Sequence, residues 1–370
     1  MTPVRVVHAV ESLGLGGLER VVETLTCLAS PGYAIEILTL SGGGRVADEL
    51  RAAGVPVHRL TLRDYYPRSI LRAARAIVST RADVLHTHGH FAGVVGRLAA
   101  RFVGLRAVVH HLHTVDDTLR RRHVRLERLL GRVTRRVVCC SSAVARHARR
   151  DLGLPESLLE VVPNGVEPAP PIGREESRRL LSNPPSPVVG CVGSLTPHKG
   201  QAVLLRAFAS LPKELRAGSL VLVGEGPERP RLERLATELG IGDRLQLPGE
   251  RRDVRRLLAG FDLLVAPSIG REGLGVAVIE GMDAGLPVIA SRVGGLSEVV
   301  EDGLTGVLVP ENDPDALAAA MARILAGSDR GASLGAAGRR RVEAQFRAER
   351  MVRRVESIYE VALEHTSRAA

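Results

Sequence analysis

Short apolar runs alternate with amphipathic stretches along the whole chain, and this series occurs twice. In the first half the runs are VRVVHAV (4–10), YAIEILTL (33–40), VPVHRLTL (55–62), ADVLHTH (82–88), RAVVHHLH (106–113) and RRVVCCS (135–141). In the second half they are SPVVGCVGS (186–194), SLVLVGEG (219–226), DRLQLPG (243–249), DLLVAPS (262–268), LPVIAS (286–291) and TGVLVP (305–310). Strands that alternate with helices pair in parallel, because each helix carries the chain back across the sheet. Val, Ile and Leu fall on both parities of these strands, as a sheet covered on both faces requires. The expected class is therefore α/β, with two Rossmann-like doubly wound domains facing a cleft, where ligands meet the carboxyl ends of the strands.

At 370 residues the chain exceeds one ordinary core. The segment 163–187, PNGVEPAPPIGREESRRLLSNPPSP, is dense in Pro, Gly, Ser and Glu and reads as a break between domains. The expected division is a first domain over 1–165, a linker over 166–187 and a second domain over 188–345. A last helix over 346–370 completes it. No apolar run approaches the ~18 residues that would span a bilayer, and the start of the chain reads as a strand, not a leader. Four cysteines without a C-x-x-C pair (Cys27, Cys139, Cys140, Cys191) read as buried thiols of a reducing cytoplasm.

The chain carries 51 basic against 41 acidic residues, a net charge of +10, and all but Lys199 and Lys213 of the basic residues are arginine. Trp is absent and Tyr and Phe are few, so the aromatic–basic interleaving of nucleic-acid binders is missing. The charge instead suits an anionic substrate or lipid headgroups. Arg120–Arg136 holds eight arginines and one acid, Glu127, with Leu119, Leu126, Leu129, Leu130 and Val133 on one helical face. It reads as a solvated face over a core stripe, or as a basic helix lying on an anionic membrane surface.

The stretch APSIGREGLGVAVIEGMD (266–283) carries the most chemistry. Glu272 and Glu280 stand eight positions apart, one in a turn with Gly273 and Gly275 and one on the following helix. That spacing parts them by roughly 12 Å along a helix axis, more than the ~5–9.5 Å of a hydrolytic carboxylate pair. Each acid is then free to grip its own set of hydroxyls. A sugar joined to a ribose through a diphosphate offers two such sets, and helix-start amides favour the anion between them.

Three other places attract attention. Gly14–Gly17 follows the first strand and opens a helix, either as an anion loop or as a tight turn; Glu19 stands where a G-x-G-x-x-G pattern needs glycine. In VGSLTPHKG (192–200), Lys199 sits where a helix begins, as a diphosphate ligand or a surface lysine. His88 and His113 end their strands, where imidazole can orient an acceptor. His86 and His88, and likewise His111 and His113, share a strand face. No metal is expected, because no H-x3-H lies on a clear helix and no acid stands at ligand spacing.

Together GGLERVVETL, HTHGHFAGVVGRLAAR, VVPNGVE, VGSLTPHKGQAVLLRAF, LVGEGPERPRLE and PSIGREGLGVAVIEGMDAGLPVIASRVGGLSEVVEDGLTGVLVP, in this order, resemble the retaining GT-B-fold glycosyltransferases of the E-x7-E group. That large group includes sucrose synthase and bacterial mannosyltransferases. The resemblance covers nearly the whole chain. It implies that Glu280 holds the ribose hydroxyls and Glu272 the donor sugar, with amides from Gly273, Leu274 and Gly275. It implies Lys199 as the diphosphate lysine, Gly16 and Gly17 beside the leaving phosphate, and His113 at the acceptor–donor junction. It also implies that the final helix crosses back to the first domain, that no metal or cofactor is needed, and that the partners are a nucleotide-sugar donor and a hydroxyl acceptor. Lipid-linked glycan, exopolysaccharide and small metabolites all fit as acceptors. Gly224–Pro227 and Gly249–Asp253 are the expected selectors of the donor.

One position departs from that pattern: Ser194 stands where the group usually has arginine. Arg271, beside Glu272, is the candidate to restore the charge. The competing expectations are a sugar-nucleotide epimerase of the same shape and a nucleotide-sugar-binding protein impaired in turnover.

Overall fold

The computed structural model describes residues 2–115, 120–329 and 331–367. The chain folds as two compact units. Unit 1 comprises residues 1–164 together with 348–370, and unit 2 comprises 165–347.

Unit 1 is built on a seven-stranded sheet: β1 (Val4–Val10), β2 (Tyr33–Thr39), β3 (Val57–Arg59), β4 (Val84–His88), β5 (Val108–Leu112), β6 (Arg136–Cys139) and β7 (Leu159–Val161). Their order is β3-β2-β1-β4-β5-β6-β7, and every pair is parallel. Winding reverses between β1 and β4, which opens a crevice at their carboxyl ends. Val6, Val7, Ala9 and Val10 of β1 are fully buried on both parities, the pattern of a sheet clad on both faces. β7, an edge strand with none of its three residues buried, lies outside the runs read from the sequence.

The last helix, Ala348–Ser367, belongs to unit 1. Glu356 accepts from the Ser30 amide and hydroxyl, both at 2.7 Å, and the Tyr359 hydroxyl lies 2.7 Å from His86 Nδ1. A separate helix, Ala332–Gln345, precedes it, with Phe346 and Arg347 between, so the last helix starts two residues after the expected 346. Arg347 there pairs with Asp283 of unit 2 at 2.6 Å.

Unit 2 repeats the winding with six strands: β8 (Val188–Val192), β9 (Ser219–Val223), β10 (Leu245–Gly249), β11 (Leu263–Ala266), β12 (Val288–Ser291) and β13 (Val307–Val309). The order is β10-β9-β8-β11-β12-β13, again all parallel, so its switch point lies between β8 and β11. Leu204, Phe208, Leu222, Leu263 and Met321 centre its core.

The segment 166–187 is more than a linker. Residues Arg174–Leu180 form a helix of unit 2, with Ser177 buried and its hydroxyl donating to the Leu257 carbonyl at 2.9 Å. Arg174 and Arg178 both pair with Asp262, Arg178 at 2.7 Å. The Pro-rich composition hid a helix whose anchors lie some eighty positions further on.

The basic stretch also differs from expectation. A helix runs over Arg121–Leu130, and Leu119 lies outside the described residues. Leu130 is buried but Leu129 is 56% exposed, while Glu127, the lone acid, turns inward at 2%. It meets Arg97, itself fully buried, at 2.5 Å. A buried guanidinium determines which way the helix turns, and apolar spacing alone could not reveal it. Cys27 is exposed, against expectation, while Cys139, Cys140 and Cys191 are buried, and none of the four is in a disulfide. Burial pushes the Cys139 and Cys191 thiols up to about 12.

Candidate functional site

In unit 2 the loops after β8 and β11 flank the switch point, and they carry the residues singled out from sequence. After β8 the chain runs through Gly193 and Ser194 to a short turn, Pro197–Lys199, and then the helix Gln201–Ala209. After β11 it runs through Ser268 to the turn 270–275 and the helix Val276–Asp283. The two loops are stitched directly: the Ile269 amide donates to the His198 carbonyl at 2.7 Å.

Two glycines make this approach possible. A Cβ on Gly200 would lie 1.9 Å from the Pro267 carbonyl oxygen, so any side chain there would force the loops apart. Gly275 opens the second helix with φ +86°, and a Cβ would meet Leu296 at 2.4 Å.

The outcome is an ion pair at the meeting point. Lys199 Nζ donates to Glu272 Oε2 at 2.7 Å, and the Ser268 hydroxyl donates to the same oxygen at 2.9 Å. Glu272 is 9% exposed, Gly273 and Leu274 are buried, and Gly275 is half-buried at the helix start. Glu280 is 7% exposed on the helix that Gly275 opens. Ser194 is exposed; its carbonyl accepts from Gln201 Nε2 at 2.8 Å and its hydroxyl lies 3.3 Å from that of Thr196.

Arg271 adopts φ +37°, a conformation uncommon outside glycine, which marks the turn as constrained. Burial holds the His198 imidazole below its ordinary range, and the charges of Lys199 and Arg271 push in the same direction. Both cations therefore act on one loop. Ser268, Gln201, Thr196 and His198 were not found from sequence. The signal available was local: each lies within a few positions of Lys199 or Glu272 and carries a short polar group.

In unit 1, Gly16 and Gly17 sit exposed at the start of the helix Gly17–Cys27, after β1. The Glu19 carboxylate folds back over this turn, close enough that a Cβ on Gly16 would lie 2.4 Å from its Oε2. Any anion bound at these amides must displace it.

His113, just past β5, is half-buried and lies in a larger assembly. The register pairs His8 with His86 across β1 and β4, and His88 with His111 across β4 and β5. Since side chains alternate along a strand, His8, His86, His88, His111 and His113 share one face. His8 Nδ1 lies 2.8 Å from His88 Nε2, and His88 Nδ1 lies 3.0 Å from His113 Nε2. Burial pushes His8 and His113 down to about 3 and holds His86, His88 and His111 well below their ordinary range, so all five rings are neutral. His110 faces the other way, 2.9 Å from the Thr87 hydroxyl. Spacing along the chain had given no metal-like grouping; the register between strands brings the rings together.

Residues 173–341 match the family Glycosyl transferases group 1, and residues 15–169 match Glycosyltransferase Family 4. The chain is 32% identical over 398 aligned positions to a D-inositol 3-phosphate glycosyltransferase of Thermobispora bispora, covering 94% of this chain and 90% of that one. It is 36% identical over 199 positions to a GDP-mannose-dependent alpha-(1-6)-phosphatidylinositol monomannoside mannosyltransferase of Mycolicibacterium smegmatis, where it spans about half of that relative's length, 52%. Anabaena HepE, solved with UDP and glucose, superposes with a TM-score of 0.86 at 22% identity, over 96% of this chain and 98% of that one. The fold, two Rossmann-like α/β units with parallel sheets, is that of GT-B glycosyltransferases, and the chain belongs to the group 1 glycosyltransferases.

Proposed function

We propose that the protein transfers a sugar from a nucleoside-diphosphate donor to a hydroxyl acceptor, with retention at the anomeric carbon. The observation that carries this reading is the Lys199–Glu272 pair, held between two loops at the switch point of unit 2. A preformed cation–carboxylate pair can divide between the ends of a donor: the ammonium turns to the diphosphate and the carboxylate accepts from sugar hydroxyls. Glu280, one helix further, accepts from the ribose. The amides of Gly273, Leu274 and Gly275 lie at a helix start, where an anion is favoured. Arg271 supplies the cation that Ser194 lacks.

As the glycosidic bond to phosphate breaks, negative charge grows on the departing diphosphate and positive charge on the ring. Lys199 and the loop amides stabilise the former. The acceptor hydroxyl attacks from the face the diphosphate leaves, and its proton passes to the leaving phosphate oxygen. The charge on Lys199 and Arg271 does the work a divalent ion would do, so this step is read as metal-independent. His113, neutral, orients the acceptor by hydrogen bonding.

HepE was solved with UDP and glucose, and two relatives are named for inositol phosphate and a phosphatidylinositol mannoside. These names support a polyol or lipid-linked acceptor. Among the described residues no helix is long and apolar enough to cross a membrane. The exposed arginines Arg121, Arg122, Arg125 and Arg128 favour a cytoplasmic protein that rests on anionic lipid.

The test is a thermal-shift panel of nucleotide sugars, with product analysis. A donor at ~100-fold over its Kd stabilises by about 2.7 kcal/mol and, with acceptor, yields a product of unchanged anomeric configuration. A donor that binds but is epimerised without acceptor, or binds without turnover, overturns the reading.

A further inference from the structure

The five histidines on one face of the unit 1 sheet have fewer partners than their chemistry requires. A neutral imidazole has one N–H and one lone pair, and buried polar groups are normally paired. Here His86 bonds to Tyr359 and His88 bridges His8 and His113. That leaves Nε2 of His8 and of His86, Nδ1 of His113 and both nitrogens of His111 buried without a partner. His111 is fully buried, its ring centroid 4.0 Å from that of His113 and stacked on it, with neither nitrogen bonded.

One nitrogen each from His88, His111 and His113 lie within 4.8 Å of one another. A tetrahedral zinc ion with bonds of about 2.0–2.1 Å sets its nitrogen ligands about 3.3 Å apart. His88 Nδ1 and His113 Nε2 stand at 3.0 Å, so a shift of about 0.3 Å makes room. We propose that His88, His111 and His113 bind a divalent transition ion of the zinc class, leaving the fourth position to water or another small oxygen ligand.

His8, His86 and His88 form a second group within the same distance, but the first is favoured on three grounds. His113 is half-buried, which gives the ion a way in, whereas His8, His86 and His88 are all buried. His86 has one nitrogen engaged by Tyr359. When His88 ligates through Nδ1, its Nε2–H donates to His8 Nδ1, and that outer hydrogen bond fixes the ring and its tautomer. The Cys140 thiol donates to the His113 carbonyl at 3.4 Å and steadies the backbone at the open ligand. The charge for sugar transfer still comes from Lys199 and Arg271 in the reading above; the ion holds the ends of β4 and β5 together and, through its bond to His113 Nε2, fixes the ring which that reading sets against the acceptor.

Co2+ titration of the full chain, stripped with chelator and free of any affinity tag, tests the site. Wild type should develop the intense visible bands of tetrahedral Co2+, saturating at one equivalent and bleached by Zn2+. His113→Asn, at a half-buried position where folding is least disturbed, should abolish the bands, as should His111→Asn. His8→Asn should weaken binding about 10–100-fold through the lost outer hydrogen bond. His147→Asn, in a different helix and paired with Asp151, should leave the titration unchanged. Absence of bands in wild type, or bands that survive both His111→Asn and His113→Asn, overturns the site. So does loss of the bands in His86→Asn with retention in His113→Asn.

Discussion

At the carboxyl ends of β8 and β11, unit 2 keeps opposite charges in contact near solvent: Lys199 on Glu272, with Ser268 completing the carboxylate. At the corresponding ends of β1 and β4, unit 1 stacks neutral imidazoles, and it buries the charges of Arg97 and Glu127 against each other. Both units wind the same way and reverse at the same place. Doubly wound topology therefore fixes where ligands arrive and leaves open how they are held. Unit 2 is arranged to exchange one ionic partner for another, whereas the buried groups of unit 1 depend on partners they keep.

The sharpest break in that contrast would come from Arg97→Ala. It leaves the buried Glu127 with His90, 3.2 Å from its Oε1, in place of a guanidinium, and chemical denaturation should show a loss of about 3–5 kcal/mol. A midpoint near that of wild type would mean that the acid reaches water and that the two units hold charge alike.

Lys199→Ala should do the opposite. Transfer should fall about 10²–10³-fold, as for loss of one donor to a developing anion. Stability should move by no more than about 1 kcal/mol, because the pair is part-exposed. A large drop in stability with turnover retained would make the pair a structural brace.

Acid should separate the units further. In chelator-treated protein, burial holds His8, His110 and His113 at about 3, below the ordinary 6.5 of an unfolded chain. The unfolded chain then takes protons first. The stability carried by the neutral rings is complete above pH 6.5 and falls as pH drops towards 3. Hydrogen exchange at pH 7.5 and pH 5 should show unit 1 peptides losing more protection than unit 2 peptides; equal loss would remove the distinction.

Two smaller effects sharpen the picture. Arg271→Ala should weaken donor binding about tenfold, or 1.4 kcal/mol, and Ser194→Arg should recover much of it in that background. Isothermal titration that finds neither change would leave the missing cation unreplaced. Arg125→Gln should lower cosedimentation with anionic vesicles by about 1 kcal/mol per charge removed, and unchanged partition would point to an ordinary solvated face.

Much of this was legible in the sequence because it is local. Val-, Ile- and Leu-rich runs of four to seven residues announce buried parallel strands, and the glycine turn between Glu272 and Glu280 announces a loop feeding a helix. What was hidden depends on partners remote in the chain. The helix Arg174–Leu180 is anchored on Asp262, Glu127 is drawn inward by Arg97, and the histidines assemble through strand register. The Lys199–Glu272 contact spans seventy-three positions. Both residues were selected from sequence, but only the fold could show that they touch.

The helix Ala348–Ser367 seals a sheet whose strands all precede Asn164, with the whole of unit 2 between them in the chain. On the ribosome, at about 5–20 residues per second, the histidine face must then wait roughly ten to forty seconds for its cover. During that interval a nascent chain presents uncapped imidazoles to the cell's chaperones and free metal.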